Sequence, residues 1–329
     1  MTESPGSVPV PEDRMKSYLQ KVAAGPRMSK DLTEAEAEDG LRLVLERQVS
    51  TARAAVFLIA TRMKRETTAE NLGFWRALTA TGRSVDVRHL RLLQVADAFD
   101  GYRRIPYYGF FTIPLLARLG LPAYGHSALP LPPKFGITFE DLLQNHYGVN
   151  GSRTLEQRAA GIERCGFGYV DAGQSHPRLE ALRGLRVEIV KRPMLATLEK
   201  MLMPLRAERN FLATNYFHPG YEEPMLAVAR ASAFDRVIIG NGMEGGTLYG
   251  LHKAARVFLM TGEPEAEERR FQLSNLYPPA IAERLETAFE ALKTLPAAAA
   301  PVAQAGEAAL KGAANPARDC MAHHAAVFL

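Results

Sequence analysis

The stretch RVIIGNGMEGGTLYG, Arg236 to Gly250, sets Gly240, Gly242 and Gly245 in the spacing G-x-G-x-x-G after a short apolar run. Glycines at such positions let backbone N–H groups come close to a phosphate, because no Cβ stands in the way. A dinucleotide-binding loop must open a helix, and GGTLYG is a poor helix start, so that use is rejected. A smaller phosphate cradle, or a turn descended from one, is left.

A second set of residues points to an anionic partner. Between Arg178 and Arg209 the cations Arg178, Arg183, Arg186, Lys191, Arg192, Lys200, Arg206 and Arg209 outnumber Glu180, Glu188, Glu199 and Glu208. Their surplus equals the formal net charge of the whole chain, +4. Such a surface suits phosphates, and its binding falls with salt. Arg103 and Arg104 lie among Tyr102, Tyr107 and Tyr108, a mixture that stacks single-stranded bases, although tyrosines so grouped also serve as core aromatics. The bland alternative for the basic stretch is a solvated face.

Other chemistry is poorly supported. Cys165 and Cys320 match no metal spacing and suggest a reducing compartment. His176 and His218 each precede proline and read as structured turns. His323-His324 lacks acidic or Cys companions at ligand spacing. Glu222-Glu223 reads as the acidic first turn of a helix. Asp97 and Asp100 form a carboxylate pair on an expected loop. No Ser-His-Asp set emerges.

The elements that must hold these residues follow from patterning. Thr33 with Glu36, and Thr67 with Glu70, are capping boxes, and Ser50 and Thr51 can cap the apolar helix between them. A small helical block over 31–82 results. Beyond Gly82, apolar or β-branched runs at Leu121–Tyr124, Phe167–Val170, Phe211–Tyr216, Val237–Ile239 and Val257–Met260 alternate with helical patterns. That alternation predicts an α/β domain with a mainly parallel sheet. LPAAAAPVAQAG, from Leu295, reads as a linker. With 329 residues, 47% hydrophobic and 23% charged, the composition is that of a globular protein without a membrane span or signal peptide.

Ordered local matches then resemble the anthranilate phosphoribosyltransferase family (glycosyltransferase family 3). They are Leu32–Glu70 with its buried AVFLIATRMKRET run, His176-Pro177, MLMPL at Met201–Leu205, and ALKGAANPARD near the C-terminus. The resemblance implies a small N-terminal helical domain beside a larger α/β domain, dimerising through the helices. The Pro- and Ser-rich start reads as a flexible arm at 1–30, and the division expected is a helical domain at 31–95, with helices from about 178–205 packing on it, and an α/β domain at 96–329. Family members usually continue past the position of Leu329.

The family transfers phosphoribosyl groups from phosphoribosyl pyrophosphate with Mg²⁺, and this chain departs from its motifs. The first glycine loop reads VADAFDGYRR, where only Gly101 answers to a family glycine and Asp97 and Asp100 add negative charge. The second reads AYGHSALPLPPK, which keeps Gly125. The two Mg²⁺ carboxylates fall on Thr247 and Leu248, neither of which can serve as a charged ligand. A divergent branch of the family (YbiB-type) that binds nucleic acid is similar at Asn241-Gly242-Met243-Glu244-Gly245, at Phe217–Tyr221 and at LGFWRAL.

The expectation is therefore a degenerate cytoplasmic homodimer that binds single- or double-stranded nucleic acid through Arg103, Arg104, Arg183, Arg186, Lys191, Arg192 and Lys200. Its relic cleft would contain Asp100, Gly101, Gly125, His126, Lys134, His176, Asn241, Gly242 and Glu244. No metal or cofactor is expected. The alternative is a transferase of altered specificity, with a phosphate site rebuilt from Gly101, Arg103, Arg104, Gly125, His126 and Lys134, and with Mg²⁺ dispensable or held by Asp97, Asp100 or Glu244.

Overall fold

The computed structural model describes residues 10–25, 27–149, 151–262 and 265–329. Four helices open the chain: α1 (Pro11–Val22), α2 (Glu34–Leu45), α3 (Thr51–Lys64) and α4 (Thr68–Thr81). The caps fall where the sequence puts them. Thr33 and Thr67 close full capping boxes with Glu36 and Glu70, and the Ser50 hydroxyl accepts from the Arg53 N–H.

The expected arm at 1–30 needs correction. Residues 1–9 lie outside the described set, but α1 is a packed helix with Met15, Tyr18 and Val22 buried. Pro11 starts it and Glu12 and Asp13 favour its N-terminal dipole, signals masked in the sequence by the neighbouring prolines.

Two strands, β1 (Val85–Asp86) and β5 (Leu205–Arg206), form a small parallel pair. The main sheet holds β2 (Arg91–Ala96), β3 (Ala123–Ser127), β4 (Phe167–Asp171), β6 (Arg209–Asn215), β7 (Arg236–Gly240), β8 (Ala255–Met260) and β9 (Glu267–Phe271). Its order is β4-β3-β2-β6-β7-β8-β9, parallel through β7 and antiparallel at β8 and β9. β2 lies in the middle, so the proposed domain boundary at 95 cuts a central strand. Leu92 to Ala96 are all buried, the mark of a strand covered on both faces.

Between the strands run α5 (Gly109–Arg118), α6 (Phe139–Asp141), α7 (Leu155–Cys165), α8 (Ala172–Ser175), α9 (Pro177–Glu180), α10 (Arg183–Ile189), α11 (Leu195–Leu198) and α12 (Glu222–Ala231). The chain then adds α13 (Leu273–Leu276), α14 (Pro279–Lys293), α15 (Ala299–Leu310) and α16 (Pro316–Phe328). The stretch read as a linker is α15, because Val302 and Ala303 are fully buried and Gly306 lies flat against the Phe111 ring. Alanine repeats look like a tether in sequence, yet they are the best helix formers and let helices approach closely.

One core joins α1–α4 to Leu179, Leu182, Met194, Leu195 and Leu198 of the 178–205 segment, and continues onto one sheet face at Leu212, Val237 and Ile239. A second core covers the opposite face beneath α5 and α14–α16. Helices on both faces of a parallel sheet leave its strand ends as the open places.

Glu70 fixes the helical block. Its carboxylate is fully buried and accepts from the Leu32 N–H at 2.9 Å, the Thr67 N–H at 2.7 Å and Lys64 Nζ at 2.7 Å. Glu70→Ala should destabilise the fold by about 3 kcal/mol, because it strands two N–H groups and leaves Lys64 with Asp31 as its one carboxylate. Urea unfolding checks this, with the solvated capping residue Glu36→Ala expected to cost about 1 kcal/mol.

Candidate functional site

β2 has β3 on one side and β6 on the other. The connections leaving the carboxyl ends of β2 and β6 therefore diverge, and a crevice opens at that switch point. A cleft of about 410 Å³ lies there. Its walls come from the turn after β2 (Ala98–Asp100), the turn after β6 (Asn215–His218), the loop after β7 (Glu244, Gly245), the 186–200 segment and Arg62 of α3. A volume of this size suits a small-molecule ligand.

The cleft carries an excess of cations. Arg62, Arg104, Lys134, Arg186, Arg192 and Lys200 line it against Asp100, Glu199 and Glu244. Two of these pairings are internal. Arg186 and Glu199 form a buried bidentate pair at 2.6 and 3.0 Å. Asp100, itself buried, is held between Arg192 and Lys134, the latter at 3.3 Å. Arg62 lies over the Tyr221 ring at 5.3 Å.

Lys200 stands apart. It is 4% exposed and, among the described residues, forms no ion pair. Its ammonium donates only to the Asn215 backbone carbonyl and, at 3.2 Å, to Asn215 Oδ1. Burial pulls its pKa down to about 8, against the pull of Glu199, Asp97 and Asp100. The nearby carboxylates do not touch this buried ammonium, so it borders the cavity without a counter-charge in contact.

The glycine-loop region beside the cleft is filled. The Asp97 carboxylate accepts the Thr247 N–H at 2.8 Å, and burial raises its pKa to about 6. Tyr107 is buried against Gly246 and shares a hydrogen bond of 3.1 Å with Thr247 Oγ1. The space left between Asp97, Gly101, Tyr102 and Gly246 is about 20 Å³, room for one water and not for a phosphate. Gly245 and Gly246 are followed by Thr247, Leu248 and Tyr249, all buried and none in a helix.

Mg²⁺ does not fit these residues. Thr247 Oγ1 is engaged by Tyr107 and His324, and Leu248 offers no donor. Asp97 accepts the Thr247 N–H through one oxygen, Asp100 is held by Arg192 and Lys134, and both oxygens of Glu244 accept N–H groups. Among the described residues, no three His, Cys, Asp or Glu side chains gather at ligand distance.

The structure brings together Asp100, Arg104, Lys134, Arg186, Arg192, Lys200 and Glu244 at the cleft, and separates the rest. Gly101 lies in the left-handed region against Gly136, on the filled side. Gly125 and His126 are inside β3. The Gly125 Cα faces the Phe139 and Tyr169 rings, and His126 is fully buried, with its pKa pushed down to about 3 by desolvation. Neither belongs to a phosphate site. His176 is buried with its ring on Gly82, a structural role. Asn241 accepts the Arg256 N–H at 2.8 Å and Gly242 packs on the Gly246 carbonyl, so both shape the loop.

The expected basic groove also needs correction. Arg183 is bound to Glu180 and to the Pro130 and Leu129 carbonyls, while Arg186 and Lys200 are interior. Arg178 pairs with Glu46 at 2.8 Å. Arg103, Arg104 and Lys191 are the exposed members. Counting charge along the sequence could not tell a paired arginine from a free one. Tyr102, Tyr107 and Tyr108 are buried at 8% exposure or less, which removes them as base-stacking platforms. Sequence reading did not single out Arg62, Asn215 or Tyr216 for the site, and marked Tyr221 only as the end of the Phe217–Tyr221 step. Only the Phe217-His218-Pro219 step beside Tyr216 marked their neighbourhood.

Comparison with known proteins fits this architecture. Residues 16–82 match the helical bundle domain of the glycosyl transferase family. Over 233 residues the chain is 27% identical to an anthranilate phosphoribosyltransferase of Symbiobacterium thermophilum, covering 70% of this chain and 65% of that protein. An uncharacterized protein of Aquifex aeolicus is 27% identical over 216 residues, 66% of this chain and 64% of its own length. The chain thus spans just under two thirds of these two relatives. The anthranilate phosphoribosyltransferase structure from Thermus thermophilus superposes with a TM-score of 0.71 at 23% identity, over 95% of this chain and 87% of that one. The enzyme from Saccharomyces cerevisiae, in complex with PRPP and Mg, gives 0.71 at 14% identity, over 96% and 88%. The chain joins a helical bundle that matches the glycosyl transferase bundle domain to an α/β domain. Within that class, its fold is the one of the anthranilate phosphoribosyltransferases.

The Lys200 environment predicts a pH signature. Folded Lys200 loses its proton near pH 8, whereas in the unfolded chain it does so near 10.4. Between those values the unfolded state holds more protons, so stability rises with pH across that window. The shift corresponds to about 3 kcal/mol. Unfolding free energies of wild type and Lys200→Met should therefore diverge in the wild type's favour from pH 8 to 10, and parallel curves would disprove the buried-charge assignment.

Proposed function

We propose that this chain is a divergent, metal-independent relative of the phosphoribosyltransferases that binds a phosphate-bearing ligand in the cleft between β2 and β6. One observation carries this reading: Lys200, a buried ammonium bordering the cleft with no carboxylate partner. An anionic ligand supplies the missing counter-charge, and Arg62, Arg104 and Lys134 add charge around it. The places where the family resemblance implies pyrophosphate and Mg²⁺ are taken by Asp97, Tyr107, Thr247 and Leu248. Transfer from phosphoribosyl pyrophosphate to anthranilate is accordingly not proposed.

A second reading keeps nucleic acid as the partner. It is favoured by the exposure of Arg103, Arg104 and Lys191 near the cleft mouth, where a strand's phosphates would meet them.

Calorimetric titration separates the two. Phosphoribosyl pyrophosphate, inorganic phosphate, a nucleoside monophosphate and a single-stranded oligonucleotide are each added at several salt concentrations, with and without EDTA. The cleft reading expects binding of a small anion, unaffected by EDTA and weakened at least about tenfold in Lys200→Met. Oligonucleotide binding with a steep salt slope, lost in Lys191→Glu/Arg104→Glu but kept in Lys200→Met, favours the second reading. No binding by any of the four at low salt overturns both.

We further propose a homodimer through the helical domain. α3 presents Val56 and Met63, 46% and 75% exposed, with half-buried Ile59 on the same stripe, and Val187 of α10 and Val190 just beyond it are exposed too. Apolar side chains at i, i+3 and i+7 on one helix face suit a packed partner. Val56→Asp/Met63→Asp should halve the mass measured by light scattering, and an unchanged mass would place the contact elsewhere.

A further inference from the structure

The loop after β7 holds a carboxylate where an anion would bind. Glu244 accepts two successive backbone N–H groups, those of Arg103 and Arg104, each at 2.9 Å, one to each carboxylate oxygen. Successive N–H groups converging on one anion form a concave binding site for phosphate as readily as for carboxylate. Lys134 Nζ donates to the Glu244 carbonyl at 3.2 Å, bringing a cation beside the same point. Among the described residues the Arg104 guanidinium makes no hydrogen bond or ion pair, and it borders the cleft.

Glu244 is also held in an unusual way. Its φ of 45° and ψ of 30° lie in the left-handed region, which a non-glycine residue occupies at a cost. The residue lines both the 410 Å³ cleft and the 20 Å³ cavity, so it forms the wall between them. Gly245 anchors the loop beyond it, its carbonyl accepting from the Ala98 N–H at 2.9 Å and from Asn215 Nδ2.

From these features we infer that Glu244 is a built-in anion occupying a phosphoryl subsite made by the Arg103 and Arg104 N–H groups, Lys134 and the Arg104 guanidinium. The ligand class is a phosphoryl oxyanion, as inorganic phosphate or as a phosphomonoester. While Glu244 stays in place the subsite is closed. When the carboxylate leaves, the two N–H donors face the cleft and the dividing wall opens. The inference deepens the cleft reading but does not depend on Lys200, so the two fail separately.

The test is calorimetric titration of wild type, Glu244→Ala, Glu244→Gln and Glu244→Ala/Lys200→Met with inorganic phosphate and with phenyl phosphate, at low salt. Glu244→Ala should bind phosphate at least about tenfold more tightly than wild type, the gain expected from freeing charge-assisted donors. The gain should persist in the double variant, even where Lys200→Met abolishes binding to the cleft. Glu244→Gln keeps an acceptor without the charge, so it should fold as wild type does and gain less. Equal gains with both probes assign the subsite to free phosphate, and a larger gain with phenyl phosphate assigns it to a monoester reaching the cleft; either supports the proposal. If a folded Glu244→Ala, or Glu244→Gln should Glu244→Ala not fold, binds neither probe more tightly than wild type, Glu244 is only a loop tie. A gain in Glu244→Ala that disappears in the double variant means the anion binds at Lys200, and the subsite is wrong.

Discussion

The placement of β2 between β3 and β6 is the constraint from which the rest follows. Parallel strands need crossover connections, and those from β2 and β6 must go to opposite sides of the sheet. No side chain has to be chosen for the crevice to exist at their carboxyl ends. What the sequence chooses is the chemistry of the turns that end there: Ala98–Asp100 after β2, Asn215–His218 after β6, and the glycine loop after β7. The 178–205 segment roofs the crevice because Leu179, Leu182, Met194, Leu195 and Leu198 are buried in the same core as α1–α4. Arg186, Arg192 and Lys200 are carried into place by that burial.

The electrostatics show a site answered largely by its own side chains. Asp97 accepts an N–H that borders the glycine loop, Asp100 neutralises Arg192 and Lys134, and Glu244 accepts two N–H groups in series. Each carboxylate satisfies donors that would otherwise be stranded without a ligand. Tyr107 fills the volume between them with a ring whose hydroxyl meets Thr247. Internal carboxylates and an aromatic ring fill the region beside the glycine loop, so the spacing is kept there without room for a phosphate. Lys200 is the exception, a cation buried beside open volume and given only amide oxygens.

Much of the scaffold was legible in the sequence because local chemistry decides it. Thr33, Ser50 and Thr67 cap their helices through contacts within three residues, so the pattern alone locates α2, α3 and α4. The apolar runs at Phe167–Val170, Phe211–Tyr216 and Val237–Ile239 became strands, and their alternation with helices gave the parallel sheet. The absence of acidic residues at Thr247 and Leu248 was equally plain, since no fold can turn those side chains into charged metal ligands. Where local signals conflict, the sequence misled. The β2 run RLLQVA is short, begins on Arg91 and runs straight into Asp97, α1 hides behind prolines, and α15 reads as an alanine tether until Phe111 is seen against Gly306.

Tertiary structure alone decided which charges are free. Eight cations between 178 and 209 look alike in sequence, yet Arg186 meets Glu199 in the core, Arg183 meets Glu180 and two carbonyls, and Lys191 stays in water. The value of a charge depends on its partners and its burial, and both are set by residues far away along the chain. The same holds for the glycine loop. The sequence determined that its backbone can approach an anion closely. The fold determined that Asp97, more than a hundred residues earlier, accepts the loop's Thr247 N–H, while Glu244 of the loop accepts the Arg103 and Arg104 N–H groups in return, because the connections after β2 and β7 meet.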